Sequence, residues 1–193
     1  YFPVDLKESS IVLCDSMVKH SLASSEYNTR RTECEYGVSI LRHHYPAVKS
    51  LRDATMIMLE NNKHELPERV FDRCAYVIQE NERVLEASRD LEKGDLQSFG
   101  KKMYATHKGL SEQYEVSCEE LDFLVEESKK LPGVIGARMM GGGFGGCTIN
   151  LVLNKELHAF ISNMKDAYKN KFGVTMNTYV VTIKDGTGLI KQH

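Results

Sequence analysis

Hydrophobic and polar positions along the chain change period twice, and the changes mark out the elements. Ile11 to Cys14 is a short apolar run bounded by Glu8-Ser9-Ser10 and Asp15-Ser16, the pattern of a buried strand, placed centrally in its sheet. After the polar stretch His20 to Ser25 a helix is expected, opened by a serine cap with Glu26 in its first turn, where negative charge suits the helix dipole. Tyr27, Cys34, Val38 and Leu41 share one stripe of it, and Tyr45-Pro46 closes it. A shorter helix is expected over Ala47 to Glu60. From Pro67 to Leu91, Val70, Cys74, Val77, Asn81, Val84 and Ser88 recur at helical spacing, with proline in the first turn and Gly94 at the end. Leu96 to Glu112 reads as a helix with a Phe99, Met103, Leu110 face, weakened by Gly100 and Gly109. Ser117 and Glu120 form a capping-box pattern before a further helix that runs to Lys130 and stops before Pro132-Gly133.

Beyond Gly133 the period becomes that of strands. Val134-Ile135 and Ala137 to Met140 lead into a glycine run, and Thr148 to Leu153 is apolar and β-branched. Lys155 to Phe172 is an amphipathic helix ended by Gly173, and Thr178 to Ile183 is a last strand. Helices fill the middle while strands lie at the start and in the last third. No linker, repeat or low-complexity tract interrupts them. The pattern predicts one α+β domain over residues 1–193, with helices packed on one face of a small, mostly antiparallel sheet.

Composition narrows what such a domain does. Its 25 Lys+Arg against 27 Asp+Glu give a net charge of -2, no excess with which to neutralise a nucleic-acid backbone or an anionic membrane. No apolar run approaches the roughly 20 residues of a spanning helix, and no basic-then-apolar secretory signal opens the chain. The five cysteines (Cys14, Cys34, Cys74, Cys118, Cys147) are scattered, without C-x-x-C or a Cys/His pair at ligand spacing, so reduced thiols in the cytoplasm and no metal site are expected. The chain begins Tyr1-Phe2-Pro3-Val4 without methionine, which suggests a processed product or a piece of something longer.

Half of the 14 glycines lie between Gly133 and Gly146. Gly141 to Gly146 matches G-x-G-x-x-G, but the dinucleotide fingerprint needs a helix after the glycines and here a β-branched strand follows. A P-loop fails too, because no Gly-Lys-Ser/Thr follows. Two readings stay open. One is a flexible turn between buried strands. The other is a loop whose backbone must approach a ligand or another backbone closely, since five glycines in six residues exceed what a hairpin turn requires.

Three blocks carry a resemblance. Gly136 to Thr148 (Gly-Ala-Arg-Met-Met-Gly-Gly-Gly-Phe-Gly-Gly-Cys-Thr) closely resembles the third conserved motif of galactokinases, members of the GHMP family of small-molecule kinases. His20 to Arg31 looks like the galactokinase segment at the start of the C-terminal half, and Thr106 to Ser117 is similar to the family's Ser-His-x-Ser-Leu stretch, with Thr106 and Gly109 in place of the two serines. The resemblance runs over essentially the whole chain, in order.

It implies the C-terminal domain of a galactokinase, with a ferredoxin-like sheet. The sugar-recognition motif, nucleotide phosphate loop, an Arg near the transferring phosphoryl group, the Mg-binding residues and the catalytic Asp would belong to an N-terminal lobe that has no counterpart here. For the intact enzyme the family implies Mg²⁺-dependent transfer of the γ-phosphoryl group of ATP to the anomeric hydroxyl of galactose. A fragment without that lobe would be inactive, would carry no catalytic residue and no metal ligand, and would self-associate through the surface the lobe should cover. Tyr27 is implied as substrate-binding, an apolar face with a hydroxyl for a pyranose. The alternative for Tyr27 is the first residue of its helix's core stripe. Gly141, Gly142, Gly143, Gly145 and Gly146 would close over the substrate near the other lobe's phosphate loop. His107 is either a polar contact near the site or a satisfied structural histidine, and Arg138 either reaches a phosphate or forms an ion pair. Arg30-Arg31 with Glu33 and Glu35 reads as a solvated helix face. Cys147 lies near the glycines with no neighbour to lower its pKa. A galactokinase-like sugar sensor and a kinase of a related sugar such as N-acetylgalactosamine are the alternatives to galactokinase itself.

Overall fold

The computed structural model describes residues 5–19 and 23–183, with side chains from residue 26 onward in the first helix. In chain order these form strand β1 (Ser9–Asp15), helices α1 (Ala23–His44), α2 (Met56–Asn61), α3 (Glu68–Lys93), α4 (Leu96–Glu112) and α5 (Glu119–Lys130), strands β2 (Val134–Met139) and β3 (Cys147–Leu153), helix α6 (Leu157–Phe172) and strand β4 (Asn177–Val181). The strands form one sheet in the order β2-β3-β1-β4, and every pairing in it is antiparallel. Strand-helix-strand-strand-helix-strand connectivity in this order is the ferredoxin-like arrangement, enlarged by the helices between β1 and β2.

Side-chain alternation divides the sheet into two faces. Val12, Cys14 and Val152 pack with Leu124 of α5 and with Phe160, Met164 and Tyr168 of α6. The other face, with Ile11, Ile149, Leu151 and Ile135, meets Leu96 and Met103 of α4. The expectation that helices cover one face is therefore corrected: α5 and α6 cover one, and α4 reaches the other. The cause is a pair of glycines. A Cβ on Gly100 would stand 2.0 Å from the Ile135 carbonyl oxygen and one on Gly136 2.5 Å from the Gly100 Cα, so the α4 backbone lies directly on β2. Gly100, read from sequence as a helix weakness, is what lets the helix dock. Toward β4 the core cluster of this second face includes neither Leu13, half-buried, nor its cross-strand neighbour Tyr179, 49% exposed.

Helices α1, α2 and α3 enclose a second core of Leu41, Val48, Leu51, Leu59, Val70, Cys74 and Ile78. The helix expected over Ala47 to Glu60 starts only at Met56, where Thr55 caps it by accepting from the Met58 amide. Residues 47–55 instead form turns: Asp53 accepts from the Lys49 and Ser50 amides, and Arg42 donates to the Val48 and Lys49 carbonyls. These side-chain bonds compete with the helical ladder. The Ser117/Glu120 capping box is absent as well. The N-cap of α5 is Cys118 with no side-chain bond, and the Ser117 hydroxyl donates to Asp122 instead. The last strand, expected over Thr178 to Ile183, ends at Val181, and the side chain of the serine cap expected at the start of α1 lies outside the described residues.

Candidate functional site

Tyr27, in the first turns of α1, is 54% exposed and packs in no core cluster, while Cys34, Val38 and Leu41 of its expected stripe do. Tyr27 stands instead on the wall of an open cavity of about 560 Å³, with Arg31, Cys34, Val77 and Tyr114 among its neighbours.

The glycine run is the β2–β3 hairpin loop, closed by the Met140 amide donating to the Cys147 carbonyl at 2.9 Å. Its glycines divide by role. Gly143 (φ 89°) has no room for a side chain, because a Cβ would lie 2.0 Å from the Val116 carbonyl oxygen; at Gly145 (φ 132°) it would lie 2.7 Å from that of Val18. Gly141 and Gly142 have open space where a Cβ would stand. The loop is thus seated between two segments of its own chain, with Phe144 N–H donating to Val116 at 2.7 Å and Gly146 accepting from Ser16 N–H at 2.9 Å. Its tip, Gly141-Gly142, projects. Close approach to another backbone, that of its own chain, explains the glycines at 143 and 145, whereas 141 and 142 are exposed.

Arg30 links Tyr27's helix to this loop. Sequence reading placed Arg30 with Arg31 on a solvated face; Arg31 is there, paired with Glu35, but Arg30 is only 6% exposed. It donates to the Tyr114 and Glu115 carbonyls at 2.7 and 2.8 Å, and its guanidinium lies 6.0 Å from the Phe144 ring centre. Arg30, one turn from Tyr27 on α1, thus meets the segment on which the glycine loop is seated, while the cavity beside Tyr27 is lined by Tyr114 of that segment.

His107 is structural. Its Nδ1 accepts from the Met139 amide at 3.2 Å, which puts the ring proton on Nε2, facing Asp122 at 3.2 Å. Burial pushes the Asp122 carboxyl up, but hydrogen bonds from His107, Ser117 and Ser111 outweigh it and hold the group below its ordinary value. Arg138 makes no ion pair among the described residues; its guanidinium donates to the Met139 carbonyl at 2.9 Å, between α3 and α4. The Cys147 thiol is pushed up by burial and the nearby Asp15, so it is a poor nucleophile. Cys14, deeper, is pushed up to about 12. Among the described residues no group of three or more His, Cys, Asp or Glu side chains is placed to hold a metal ion, and no helix is long and apolar enough to cross a membrane.

Known proteins resemble this arrangement closely. Residues 87–170 match the family model described as GHMP kinases C terminal. The chain is 39% identical over 181 residues to the galactokinase of Roseiflexus sp. (strain RS-1), covering 94% of this chain and 46% of that protein. It is 40% identical over 192 residues to the galactokinase of Fusobacterium nucleatum, covering 99% and 49%. The chain thus spans about half the length of the curated relatives it matches. Among solved structures, Lactococcus lactis galactokinase complexed with galactose matches with a TM-score of 0.89 at 32% identity, over 95% of this chain and 47% of that one. L. major mevalonate kinase, at 21% identity and a TM-score of 0.55, shares the fold.

Proposed function

Because this chain belongs to the GHMP kinase C-terminal family and is homologous to the C-terminal half of galactokinases, we propose that it forms the sugar-facing wall of a galactokinase, an enzyme that moves the γ-phosphoryl group of ATP to the anomeric hydroxyl of galactose. The observation that carries this reading is that one segment, residues 114–116, meets both the helix and cavity of Tyr27, through Arg30 and Tyr114, and the glycine loop more than a hundred residues further on, through Val116.

In the reaction the anomeric oxygen of galactose attacks the γ-phosphorus, the bond to the β,γ-bridging oxygen breaks, ADP leaves, and the hydroxyl proton passes to a base. Catalysis of this kind is mostly positioning and charge stabilisation. Tyr27 contributes a ring for the apolar face of the pyranose and a phenol for a hydroxyl. Gly141 and Gly142 offer a side-chain-free backbone that another lobe's phosphate loop or the bound sugar can approach closely. The glycines at 143, 145 and 146 keep that tip in place. The metal ligands, the base and most of the ATP site belong to the N-terminal lobe, which docks over the loop and over the part of the sheet near Leu13 and Tyr179. Five free cysteines suit a cytoplasmic enzyme.

A coupled assay with galactose, ATP and Mg²⁺ tests the reading on two proteins. The full-length protein is expected to turn over and the 193-residue chain alone is not; turnover by the chain alone, or none by the full-length protein, sinks it. N-acetylgalactosamine in place of galactose distinguishes the related-sugar kinase, and galactose binding without turnover identifies a sensor. Replacing Tyr27 by Phe is expected to raise the KM for galactose several-fold, the effect of losing one hydrogen bond of about 1 kcal/mol.

A further inference from the structure

Two buried arginines meet on the three residues that follow α4. Arg73 of α3, its side chain 1% exposed, donates through Nη1 to the Gln113 carbonyl and through Nη2 to the Glu115 carboxylate. Arg30 of α1 takes the next two carbonyls, Tyr114 and Glu115. Glu33 stands between them, 3.3 Å from the Arg73 Nε and 3.8 Å from the Arg30 Nη1. The carbonyls of 113, 114 and 115 are thus satisfied in succession by guanidinium groups. These residues lie just past the C-terminus of α4, where the partial negative charge of the helix favours fixed cations. Glu115 itself sits at φ 50°, a conformation unfavourable for a residue with a Cβ and kept only where its surroundings hold it.

This clamp does not end at Glu115. The next residue, Val116, is the seat of the glycine loop: its carbonyl accepts from Phe144 and excludes any side chain at Gly143. We infer that Arg30 and Arg73, joined through Glu33 and Glu115, are positioning residues that set the place of the Gly141–Gly146 loop by fixing residues 113–116 beneath it. Both guanidinium groups are buried and bond to protein groups. The catalytic consequence rests on the kinase reading above, but the clamp itself does not.

The test uses the full-length protein, with hydrogen exchange of peptides spanning residues 141–147 and steady-state kinetics measured on the same samples. Arg73→Lys keeps the charge and loses the fork geometry. Glu115→Gln removes one ion pair on a half-exposed carboxylate, so it disturbs the core little. Lys130→Ala, at a surface pair with Glu127, serves as the control. Exchange at 141–147 is expected to speed up about tenfold in Arg73→Lys and measurably in Glu115→Gln, with no change in the control. In both variants kcat is expected to fall while KM for galactose changes less than threefold, because misplacement costs orientation more than contact. Faster loop exchange in a parent protein that phosphorylates no sugar upholds the clamp and sinks the kinase reading. Unchanged loop exchange in both variants, or uniform acceleration across the chain in both, overturns the clamp.

Discussion

Gly143→Ala against Gly142→Ala separates the seat of the loop from its tip. At Gly143 the new methyl would start 2.0 Å from the Val116 carbonyl oxygen, so that carbonyl has to retreat by about 1 Å and the 2.7 Å bond from Phe144 is lost or stretched. Alanine at φ 89° adds about 1–2 kcal/mol of backbone strain. Forcing atoms into a packed site adds about 1–3 kcal/mol more. A total near 3 kcal/mol lowers the melting temperature of a chain this size by roughly 6–12 °C. At Gly142 nothing lies within 4 Å and φ is not in the left-handed region, so the change stays within about 0.5 kcal/mol. Circular dichroism at 222 nm during urea titration reads both variants, which suits a protein with no tryptophan. Equal stability of the two variants would refute the reasoning, since it would mean the loop does not rest on Val116. In the full-length protein Gly142→Ala carries the complementary expectation of lost turnover with stability kept, because only the tip faces outward.

Three further outcomes are expected. Gly100→Ala, which in an exposed helix would gain about 1 kcal/mol of propensity, destabilises this protein because its methyl meets the Ile135 backbone at 2.0 Å; a stabilised variant in thermal melts would overturn the α4–β2 contact. The Asp122 carboxyl is held below its unfolded value of 3.8, so its contribution is present above that pH and is lost as pH falls through the lower folded value. The gap in urea midpoint between the parent and Asp122→Asn should accordingly be widest near neutrality and close below about pH 4; a gap independent of pH refutes the assignment. Tyr179 and Val180 on the edge strand β4 are about half exposed, so the chain alone is expected to self-associate in sedimentation runs and Val180→Lys to weaken it; a strictly monomeric chain at high concentration contradicts this.

Elements with a long, uninterrupted period were legible in the sequence. Helix α4 has the bounds Leu96–Glu112 that its pattern predicts, and α3, β3 and the central place of β1 follow theirs. What was not legible depends on partners remote in the chain. The turn at 47–55 is made by Asp53 and Arg42 side chains, whose bonds leave no trace in hydrophobic period. Arg30 reads as a surface residue beside Arg31 because the carbonyls that bury it lie 84 and 85 residues away. Arg73, a lone arginine in a polar-rich stretch, carries no signal, and the stripe expected along its helix holds only in the first half: Val70 and Cys74 are buried, whereas Val84 is 58% exposed and Ile78, outside the stripe, is buried. Glycine follows the same logic: Gly100 and Gly109 read as propensity losses in the sequence, whereas their missing side chains make room for Ile135 and the Tyr76 ring. That the helix of Tyr27 and the glycine loop meet one segment, residues 114–116, follows from no spacing in the sequence.

The arginine clamp also bears on the order in which this molecule assembles. Tying residue 114 to residue 30 closes a loop of 84 residues, and tying 113 to 73 closes one of 40, so the segment after α4 gains its partners only once α1, α3 and α4 have met. Long closures are slow to be rewarded and belong to the late side of a folding barrier. Substitutions in the clamp should therefore leave the refolding rate nearly unchanged and accelerate unfolding, making Arg30 and Arg73 determinants of how long the native loop persists.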